Sequence, residues 1–484
     1  MVRYIYIFIV VLLFPFSAFA AIDYYDWSQI GEDGFGNVNY QDHFLVEYHG
    51  SLYLRTGVFG NGVPLFKSQD GQTWTELDPD FNDDLNNLRI TELKEFDDQF
   101  FALIQNNTTG LELWRTDNGA DWFQAGSDGM GAAANRTGLI YEDGREGYEE
   151  RYYIATNNAG GAQLYYSDGG WAWNQATINP GPSQIMAFIQ NFGGYVYITT
   201  FDVVNGTKVF RSANGINWTE VSPGTFSNSA YVYLMEFDGY LYGIENYANL
   251  YTGLFNKLWR TSDGQNWEEI TYTSNNDVDQ LARLITFNNY LLIFSQDNAS
   301  GGNVYYSDTG ETGDWYPAYL DKDGTNYMDV ENIILYPLQI DNQLFFSTYN
   351  NINGTEIWRT SNGAYYEPFS PGGFGDANNW RGNMVNFEND LYVGTYNANT
   401  GGEVWTTEIQ PAQITDLAIT PKKGKLNLSW TVPAATNLVG YTVRCWDELV
   451  TDEDWNQSGY IEKYVTVNTP KINNLDPGQK YYCG

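Results

Sequence analysis

The stretch LWRTSDGQNW (residues 258–267) contains the turn that decides the fold. An apolar run leads into Ser-Asp-Gly-Gln-Asn, and a tryptophan follows directly. Related stretches occur three times more, as LFKSQDGQTW (65–74), LWRTDNGADW (113–122) and VFRSANGINW (209–218). Asp-Gly and Asn-Gly accept the positive φ that a tight turn between twisted strands requires. The stretch therefore predicts a β-hairpin that this chain makes repeatedly.

Each hairpin belongs to a longer repeat. An apolar run precedes the hairpin at eight places, namely LYLRTG (52–57), FFALIQ (100–105), YYIATN (152–157), VYITTF (196–201), LYGIEN (241–246), LLIFSQ (291–296), LFFSTY (344–349) and LYVGTY (391–396). A further short apolar strand lies upstream of each run, such as LITF (284–287). The unit thus contains four strands, and its hairpin joins the third strand to the fourth. The tryptophan that opens the fourth strand is suited to packing between neighbouring sheets.

The spacing of the tryptophans predicts the architecture. They fall at 74, 122, 173, 218, 267 and 315, with Tyr366 in the seventh place, at intervals of 45 to 51 residues. Such intervals are typical of four-stranded propeller blades. The eighth unit (384–407) lacks a turn and a tryptophan, but DWSQIGEDGFG (26–36) resembles DWFQAGSDGMG (121–131), so Trp27 supplies the eighth mark. We expect an all-β, eight-bladed propeller whose N-terminal strand completes the last blade and closes the ring. Seven blades plus a stray repeat is the alternative.

The turns resemble the Asp-box (BNR) motif, roughly Ser-x-Asp-x-Gly-x-Thr-Trp. Residues 68–74 (SQDGQTW) match it with one residue deleted, and the other copies match less closely. The resemblance extends as repeats over residues 22–409. In that family the motif is structural and lies away from the ligand face. The resemblance therefore implies a propeller and does not imply sialidase activity.

Both ends of the chain differ from the repeat. One positive charge, a short apolar run and a small-residue ending form a predicted secretory signal over residues 1–20, so we expect a secreted or cell-surface protein. The propeller is assigned to 21–409. Residues 410–484 resemble a fibronectin type III domain, with Trp430 on its second strand and Tyr481 as its corner tyrosine, and the domain is expected to be incomplete at the C-terminus. The resemblance places Cys445 and Cys483 on neighbouring strands, either as a disulfide or as two buried thiols.

The net charge of −36 restricts the partners. An acidic surface repels phosphate backbones, so nucleic acid is excluded, and acidic polysaccharides or anionic lipids are disfavoured unless divalent cations bridge them. No transmembrane segment is expected in the visible chain, and we expect a monomer. No cofactor is predicted, although calcium is considered because Asp321 and Asp323 lie at the start of a loop that resembles the beginning of a calcium-binding loop.

Catalytic residues are hard to select from the sequence. Only His43 and His49 occur, and a structural or surface role is favoured for both. Arginines beside the repeated turn (115, 211, 260 and 359) are interpreted as framework. Five others lie elsewhere: Arg55, Arg89, Arg136, Arg283 and Arg381. A sialidase would need three arginines that converge on a carboxylate, and nothing in the spacing selects three.

The inter-blade loops and the loops between second and third strands share one face, on which non-repetitive amides and aromatics collect. Amides pair with vicinal hydroxyls, and aromatic rings stack on sugars. The predicted ligand-binding residues are Asn39, Asn87, Tyr349, Asn350, Asn379, Trp380, Arg381, Tyr396 and Asn397. The sequence favours a non-catalytic exported propeller that binds a glycan or an extracellular protein there for adhesion. The alternatives are an extracellular glycan-active hydrolase or lyase, and a ligand-free structural module.

Overall fold

A computed structural model describes the chain from residue 27 to residue 483. The residues left out within that span are 58–62, 78–80, 82–83, 85, 97, 159, 182–184, 202–205, 223–229, 248–256, 273–278, 298–300, 321–327, 329–330, 409–416, 423–424, 431–440, 447–460, 466–470 and 474–481. The predicted signal and the predicted calcium loop at Asp321 and Asp323 lie outside the described residues.

Eight β-sheets follow one another along the chain, as the repeat predicts, and we number them blades 1 to 8. Blade 1 contains β2 (Phe44–Tyr48), β3 (Ser51–Arg55), β4 (Leu65–Ser68) and β5 (Thr75–Leu77). Blade 2 contains β6 (Asn87–Phe96), β7 (Gln99–Asn106), β8 (Glu112–Thr116) and β9 (Phe123–Gln124). Blade 3 contains β10 (Thr137–Glu142), β11 (Arg151–Asn157), β12 (Leu164–Asp168) and β13 (Asn174–Gln175). Blade 4 contains β14 (Ile185–Phe192), β15 (Tyr195–Phe201), β16 (Val209–Ser212) and β17 (Thr219–Glu220).

The remaining blades keep the same antiparallel order with two modifications. Blade 5 contains β18 (Ala230–Phe237), β19 (Tyr240–Tyr247), β20 (Leu258–Thr261) and β21 (Glu268–Ile270). Blade 6 contains β22 (Asp279–Phe287), β23 (Tyr290–Asp297), β24 (Gly301–Ser307) and β25 (Tyr316–Pro317). Blade 7 contains β27 (Ile333–Ile340), β28 (Gln343–Tyr349), β29 (Ile357–Thr360) and β30 (Tyr365–Pro368), and β26 (Tyr319–Leu320) adds a fifth, parallel strand. Blade 8 contains β31 (Arg381–Phe387), β32 (Asp390–Tyr396), β33 (Val404–Glu408) and β1 (Ser28–Ile30).

The N-terminal strand lies in the last blade. β1 pairs antiparallel with β33, and Gln29 is the register partner of Trp405. Blade 8 also contacts blade 1, because the Leu45 backbone N–H donates to Asn383 Oδ1 at 2.7 Å and the His43 N–H donates to the Thr395 carbonyl at 3.0 Å. The structure is thus an all-β protein in an eight-bladed propeller arrangement.

The core lies between neighbouring blades. Each predicted mark belongs to a different apolar cluster, and Trp122, for example, packs with Tyr48 and Leu65 of blade 1 and with Phe100 of its own blade. The other marks, each in its own cluster, are Trp27, Trp74, Trp173, Trp218, Trp267, Trp315 and Tyr366. Burial of aromatic surface between sheets is the main stabilising contribution of these residues.

The repeated hairpin is structural. In the first copy, Asp70 Oδ1 accepts the backbone N–H groups of Thr73 and Gln72 at 2.7 and 2.9 Å, and these hydrogen bonds lower the pKa of Asp70 to about 2. Gly264, at φ +70°, lies so close to the preceding blade that a Cβ there would come within 1.8 Å of the Tyr197 hydroxyl. Each turn therefore fixes its own backbone and packs against the blade before it.

The arginines beside the repeated turn contact the next blade. Arg115 donates to the Gly169 carbonyl at 2.5 Å, and Arg211 donates to the Asp263 carbonyl at 3.0 Å. Both carbonyls belong to the hairpin of the blade that follows.

Residues beyond the propeller form two three-stranded sheets. One contains β34 (Ala418–Lys422), β35 (Lys425–Ser429) and β38 (Lys471–Asn473), and the other contains β36 (Tyr441–Trp446), β37 (Ile461–Val465) and β39 (Tyr482–Cys483). Cys445 and Cys483 are direct register partners. The fibronectin type III assignment stays a prediction. No helix within the described ranges is long and apolar enough to cross a bilayer.

Candidate functional site

One end of the propeller is formed where the first strands of the blades begin and the second strands end. Antiparallel pairing places Phe44 opposite Arg55 in blade 1 and Arg381 opposite Tyr396 in blade 8. Arg89 lies near the start of β6 and pairs with Gln105 near the end of β7. We refer to this end as the mouth, and it lies opposite the repeated hairpins that join the third and fourth strands.

Three arginines meet at the mouth around one carboxylate. Arg55, Arg89 and Arg381, from blades 1, 2 and 8, line a cavity of about 150 Å³ together with Asp42 and Tyr336. Asp42 Oδ2 lies 2.9 Å from Arg381 Nη2 and 3.6 Å from Arg55 Nη1. We call these five residues the arginine site. The structure thus selects three of the five arginines that the sequence left open.

The arginine site carries an excess of positive charge. Burial lowers the pKa of Arg55, the neighbouring Arg381 and Arg89 lower it further, and only Asp42 and Tyr336 oppose this. The pKa of Arg89 is lowered in the same way by burial and by Arg381. Like charges held this close destabilise one another, and a bound anion would relieve that repulsion. Arg55 Nε is buried and has no hydrogen-bond partner in the described part of the chain.

Aromatic rings surround the arginine site. The Arg55 guanidinium lies 4.5 Å from the centroid of Phe44, and that of Arg381 lies 4.9 Å from the centroid of Tyr396. Trp380 contacts Tyr396 with ring centroids 5.7 Å apart. Arg283 lies 5.8 Å from the ring of Tyr336, on the far side of the site. Cation–π contacts of this kind hold guanidinium planes in fixed positions.

A second carboxyl lies next to the site. Glu92 follows Thr91, which lines the cavity, and its Oε2 accepts the backbone N–H of Ile140 at 2.7 Å. Burial raises the pKa of Glu92, although Lys94, the Ile140 amide and Arg55 act in the opposite direction. A partly buried carboxyl with a raised pKa is the kind of group that can act as a general acid.

Three predicted ligand-binding residues come together here, namely Trp380, Arg381 and Tyr396. Tyr349 is partly exposed at the end of β28, and Asn39 is exposed in the loop before blade 1. Sequence reasoning missed Asp42 and Tyr336. Asp42 immediately precedes the buried His43 at the start of blade 1, and no motif distinguished it from the many other acidic residues.

The other four predicted asparagines are buried in the framework. Asn379 is fully buried, and its Nδ2 donates to Glu403 Oε2 at 2.7 Å and to the Gly373 carbonyl at 3.0 Å. Glu403 Oε2 also accepts the Trp405 indole N–H at 2.6 Å. Asn397 donates to Asp376 and accepts the Asn399 and Thr400 backbone amides. These amides support the loops instead of facing solvent.

The same arrangement recurs in other blades. Asn87 donates to Glu112, which also accepts the Trp114 indole, and Asn350 donates to Asn332, which donates to Glu356. In blade 3 a glutamine takes the place of the glutamate: Gln163 accepts hydrogen bonds from Asn135 and from Tyr165. The repetition was visible in the sequence as Asn and Glu at equivalent repeat positions, and it would have indicated a structural role.

The two histidines differ. His43 is buried beneath the mouth, its ring nitrogens have no partner in the described residues, and burial lowers its pKa to about 4. His49 is exposed at the opposite end, where Nε2 lies 3.0 Å from Asp98 Oδ1. Within the described residues, no group of three potential metal ligands occurs.

No protein family model matches the chain, and no curated protein matches it. Its fold is similar to several solved structures. One belongs to a study of two prolyl endopeptidases and of inter-domain dynamics in their catalysis and specificity, with 11% identity and a TM-score of 0.44 over 70% of this chain and 54% of that one. A post-proline cleaving enzyme from Rickettsia typhi gives 10% identity and a TM-score of 0.46 over 75% of this chain and 58% of that one. A virginiamycin B lyase from Staphylococcus aureus gives 11% identity and a TM-score of 0.43 over 66% and 94%.

These neighbours correct one prediction. The sequence favoured a non-catalytic binding and adhesion propeller, whereas the three similar structures named above come from enzymes. The non-catalytic interpretation is therefore withdrawn. The chain spans little more than half the length of the two proline-specific enzymes, and at 10 to 11% identity the likeness concerns the fold and assigns neither substrate nor active residue to this protein.

Proposed function

We propose that this protein is an extracellular glycan-active hydrolase or lyase whose active centre is the arginine site, and that its substrate carries a carboxylate. The proposal includes export through residues 1–20 and a ring of eight blades closed by β1. One observation carries it: three arginines surround one aspartate in a protein whose net charge is −36.

The arginine site changes the conclusion, drawn from net charge, that acidic polysaccharides are disfavoured as partners. A strongly acidic surface disfavours an acidic polymer at long range, but the ligand contacts the local charges of the cavity. Arginine presents planar pairs of donors that match a carboxylate, and such hydrogen bonds are stronger than neutral ones. The acidic remainder of the protein then helps product to leave. The site therefore favours a sugar that carries a carboxylate.

Aromatic residues beside the arginines favour a sugar as the carrier of that carboxylate. Phe44 lines the cavity, Tyr396 packs on Arg381, and Trp380 contacts Tyr396. The C–H faces of pyranose rings stack on such aromatic surfaces. A sugar acid would place its carboxylate among the guanidinium groups and its ring against the aromatics. Both contacts orient the substrate for reaction.

Two kinds of chemistry are open to this set of groups. A hydrolase would use Asp42 and Glu92 as the pair of carboxyls, with Glu92 as the acid. In a lyase, the arginines would stabilise the charge that develops on the substrate carboxylate while Asp42 accepts the proton from the carbon beside it. The glycosidic C–O bond would break as the C=C bond forms, and Tyr336 or Glu92 would donate a proton to the leaving oxygen. Both use the arginines as the binding and charge-stabilising element.

The test is to incubate the full chain with acidic polysaccharides (polygalacturonate, alginate, hyaluronan and chondroitin) and with neutral ones. A lyase produces an unsaturated sugar that absorbs in the ultraviolet, whereas a hydrolase produces reducing ends without that absorbance. Arg381→Ala removes charge-assisted hydrogen bonds of about 1.5–3 kcal/mol, so kcat/KM on the acidic substrate should fall by about 10- to 150-fold.

Arg136→Ala is the matched control, because Arg136 is an exposed arginine just before the first strand of blade 3. Its activity should equal that of the unchanged protein. Cleavage restricted to neutral polysaccharides, or equal activity of the Arg381→Ala and Arg136→Ala variants, would reject the arginine site as the active centre. Lack of cleavage of every substrate would reject the proposed activity for these sugars.

A further inference from the structure

Residues 316–320 connect blades 6 and 7 on their outer edges. Tyr316 and Pro317 form β25, the fourth strand of blade 6, and Tyr319 and Leu320 form β26, which pairs parallel with β30 of blade 7. The Ala318 N–H donates to the Val304 carbonyl in blade 6, and the Tyr319 N–H donates to the Ala364 carbonyl in blade 7, both at 2.8 Å. This segment is therefore hydrogen-bonded to both blades.

Small and aliphatic side chains anchor the connecting segment. Ala318 and Leu320 are buried in the cluster that contains Trp358 and Tyr366. Tyr316 and Tyr319 lie outward, where they are 51% and 40% exposed. Over residues 318–320 buried and exposed positions alternate because the chain is extended. The exposed tyrosines thus stand on a rigid backbone.

Tyr319 and Tyr365 form a pair of parallel rings. They are register partners in the parallel ladder, their centroids are 5.6 Å apart, and their planes differ by 11°. Tyr365 is 41% exposed. Three of the eight large apolar side chains that are exposed in the described ranges are therefore the tyrosines of this edge. We call Tyr316, Tyr319 and Tyr365 the rim tyrosines.

The exposed area decides what can bind. A tyrosine presents roughly 200 Å² in total, so these three, at 51%, 40% and 41% exposure, offer about 260 Å² between them. A protein partner or a second copy of this chain needs about 800 Å² on each side. One or two sugar rings require no more than the rim tyrosines offer.

The charged residues beside the rim tyrosines indicate which class of ligand fits there. Glu367 lies on the same strand as Tyr365 and is paired with Arg359, and Glu311 lies in the hairpin before Tyr316. The three tyrosines carry no positive charge, and both carboxylates are paired with arginines, so this edge offers no binding site for an anion. The rings suit the C–H face of an uncharged pyranose, and their hydroxyls can pair with sugar hydroxyls.

We infer that the rim tyrosines form a second glycan-binding site, which holds a neutral polysaccharide chain on the outer edge of blades 6 and 7. This site is separate from the arginine site and goes beyond the proposed function. It would keep the protein on a polymer surface while the mouth acts on acidic sugars.

Native affinity electrophoresis of the full chain tests the site, with xylan, β-glucan, galactomannan or hydroxyethyl cellulose in the gel. At least one of these polymers should retard the protein. Tyr319→Ala and Tyr365→Ala should each weaken that retardation about tenfold in Kd, which corresponds to ~1.4 kcal/mol. Tyr319→Phe should retain most of the binding, because the ring face is preserved. Phe123→Ala is the matched control, since Phe123 is 58% exposed on the fourth strand of blade 2.

The results of these experiments would either support the second glycan-binding site or overturn it. Absence of retardation by all four polymers, or retardation that survives Tyr319→Ala and Tyr365→Ala, overturns it. A dimer in sedimentation velocity that Tyr319→Ala dissociates overturns it in favour of a second copy of this chain. Arg381→Ala should leave the retardation unchanged while it lowers the rate of cleavage, so failure of the proposed activity would not be mistaken for failure of this site.

Discussion

Replacement of Glu403 separates the cost of a buried charge from the value of its hydrogen bonds. Glu403 is 5% exposed, and its Oε2 alone accepts both the Asn379 amide and the Trp405 indole. Glu403→Gln keeps one oxygen at that position, so both donors retain an acceptor. Gln163 already fills the equivalent position in blade 3, where it accepts from Asn135 and from Tyr165. Glu403→Ala removes the acceptor altogether.

The structure gives the sizes of the two effects. Glu403→Ala leaves two buried donors without a partner at about 1–3 kcal/mol each, so the free energy of unfolding should fall by about 2–6 kcal/mol. Glu403→Gln should change it by no more than about 1 kcal/mol at acid pH. Two variants at one position should therefore differ by several kilocalories although both remove the charge.

The pH dependence has a definite sign. Burial raises the pKa of Glu403, with Asp33 and Asp376 acting in the same direction, while the Trp405 and Asn379 hydrogen bonds partly oppose it. The stabilising contribution of a group with a raised folded-state pKa is present below its unfolded pKa and is lost as pH rises through the folded value. Glu403→Gln should thus gain stability relative to the unchanged protein as pH rises from about 4 towards neutrality.

Urea unfolding followed by tryptophan fluorescence, at a series of pH values from 4 to 8, measures both effects. The Gln variant should have a midpoint equal to or above that of the unchanged protein at neutral pH, and the Ala variant a clearly lower one. Equal loss in both variants would show that the negative charge itself holds the loop. A Gln variant whose relative stability falls with pH would refute the direction of the pKa shift.

Three further results are expected. Asp70→Asn should be tolerated while Asp70→Ala lowers the melting temperature, and because the hydrogen bonds lower the pKa of Asp70 to about 2, its contribution should be present above its unfolded pKa and lost as pH falls towards 2. Gly264→Ala should destabilise the protein far more than Gly50→Ala, because both have positive φ but only the first meets a neighbour, the Tyr197 hydroxyl; equal melting temperatures would contradict this. Burial lowers the pKa of His43 to about 4, so the contribution of neutral His43 to the free energy of unfolding is present above pH 6.5. This contribution should fall by about 3 kcal/mol as the pH drops through 4. In His43→Leu the slope of unfolding free energy against pH should therefore be flatter in that window.

The blades could be predicted from the sequence because each one repeats the same local pattern. The hairpin glycine, the acceptor side chain before it and the interleaved tryptophan are all encoded within about ten residues. Trp27 was recognised because the segment around it repeats 121–131, and the structure repeats there too: Phe35 and Met130 take φ values of 51° and 54° in matching 3₁₀ turns.

The arginine site could not be selected from spacing alone. Arg55 and Arg89 come from consecutive blades, but Arg381 comes from blade 8, at the other end of the propeller sequence, and it meets them only because blade 8 lies beside blade 1. Their strand positions were the available signal, since each lies where a first strand begins or a second strand ends. The asparagines were misjudged because an asparagine that forms a turn and an asparagine that binds a ligand look the same in a loop sequence. Only the burial of the side chain in the structure distinguishes them.

The pairing of β1 with β33 has a consequence for biosynthesis. β1 precedes the first blade in sequence, but its partner β33 follows the seventh. Blade 8 therefore cannot assemble until residue 408 has been made, and β1 must wait for its partner strand while the seven blades between them are made. Nascent domains usually fold from the N-terminus onward, but here β1 takes its place only after those blades. The eighth blade thus forms only when both ends of the propeller sequence are present.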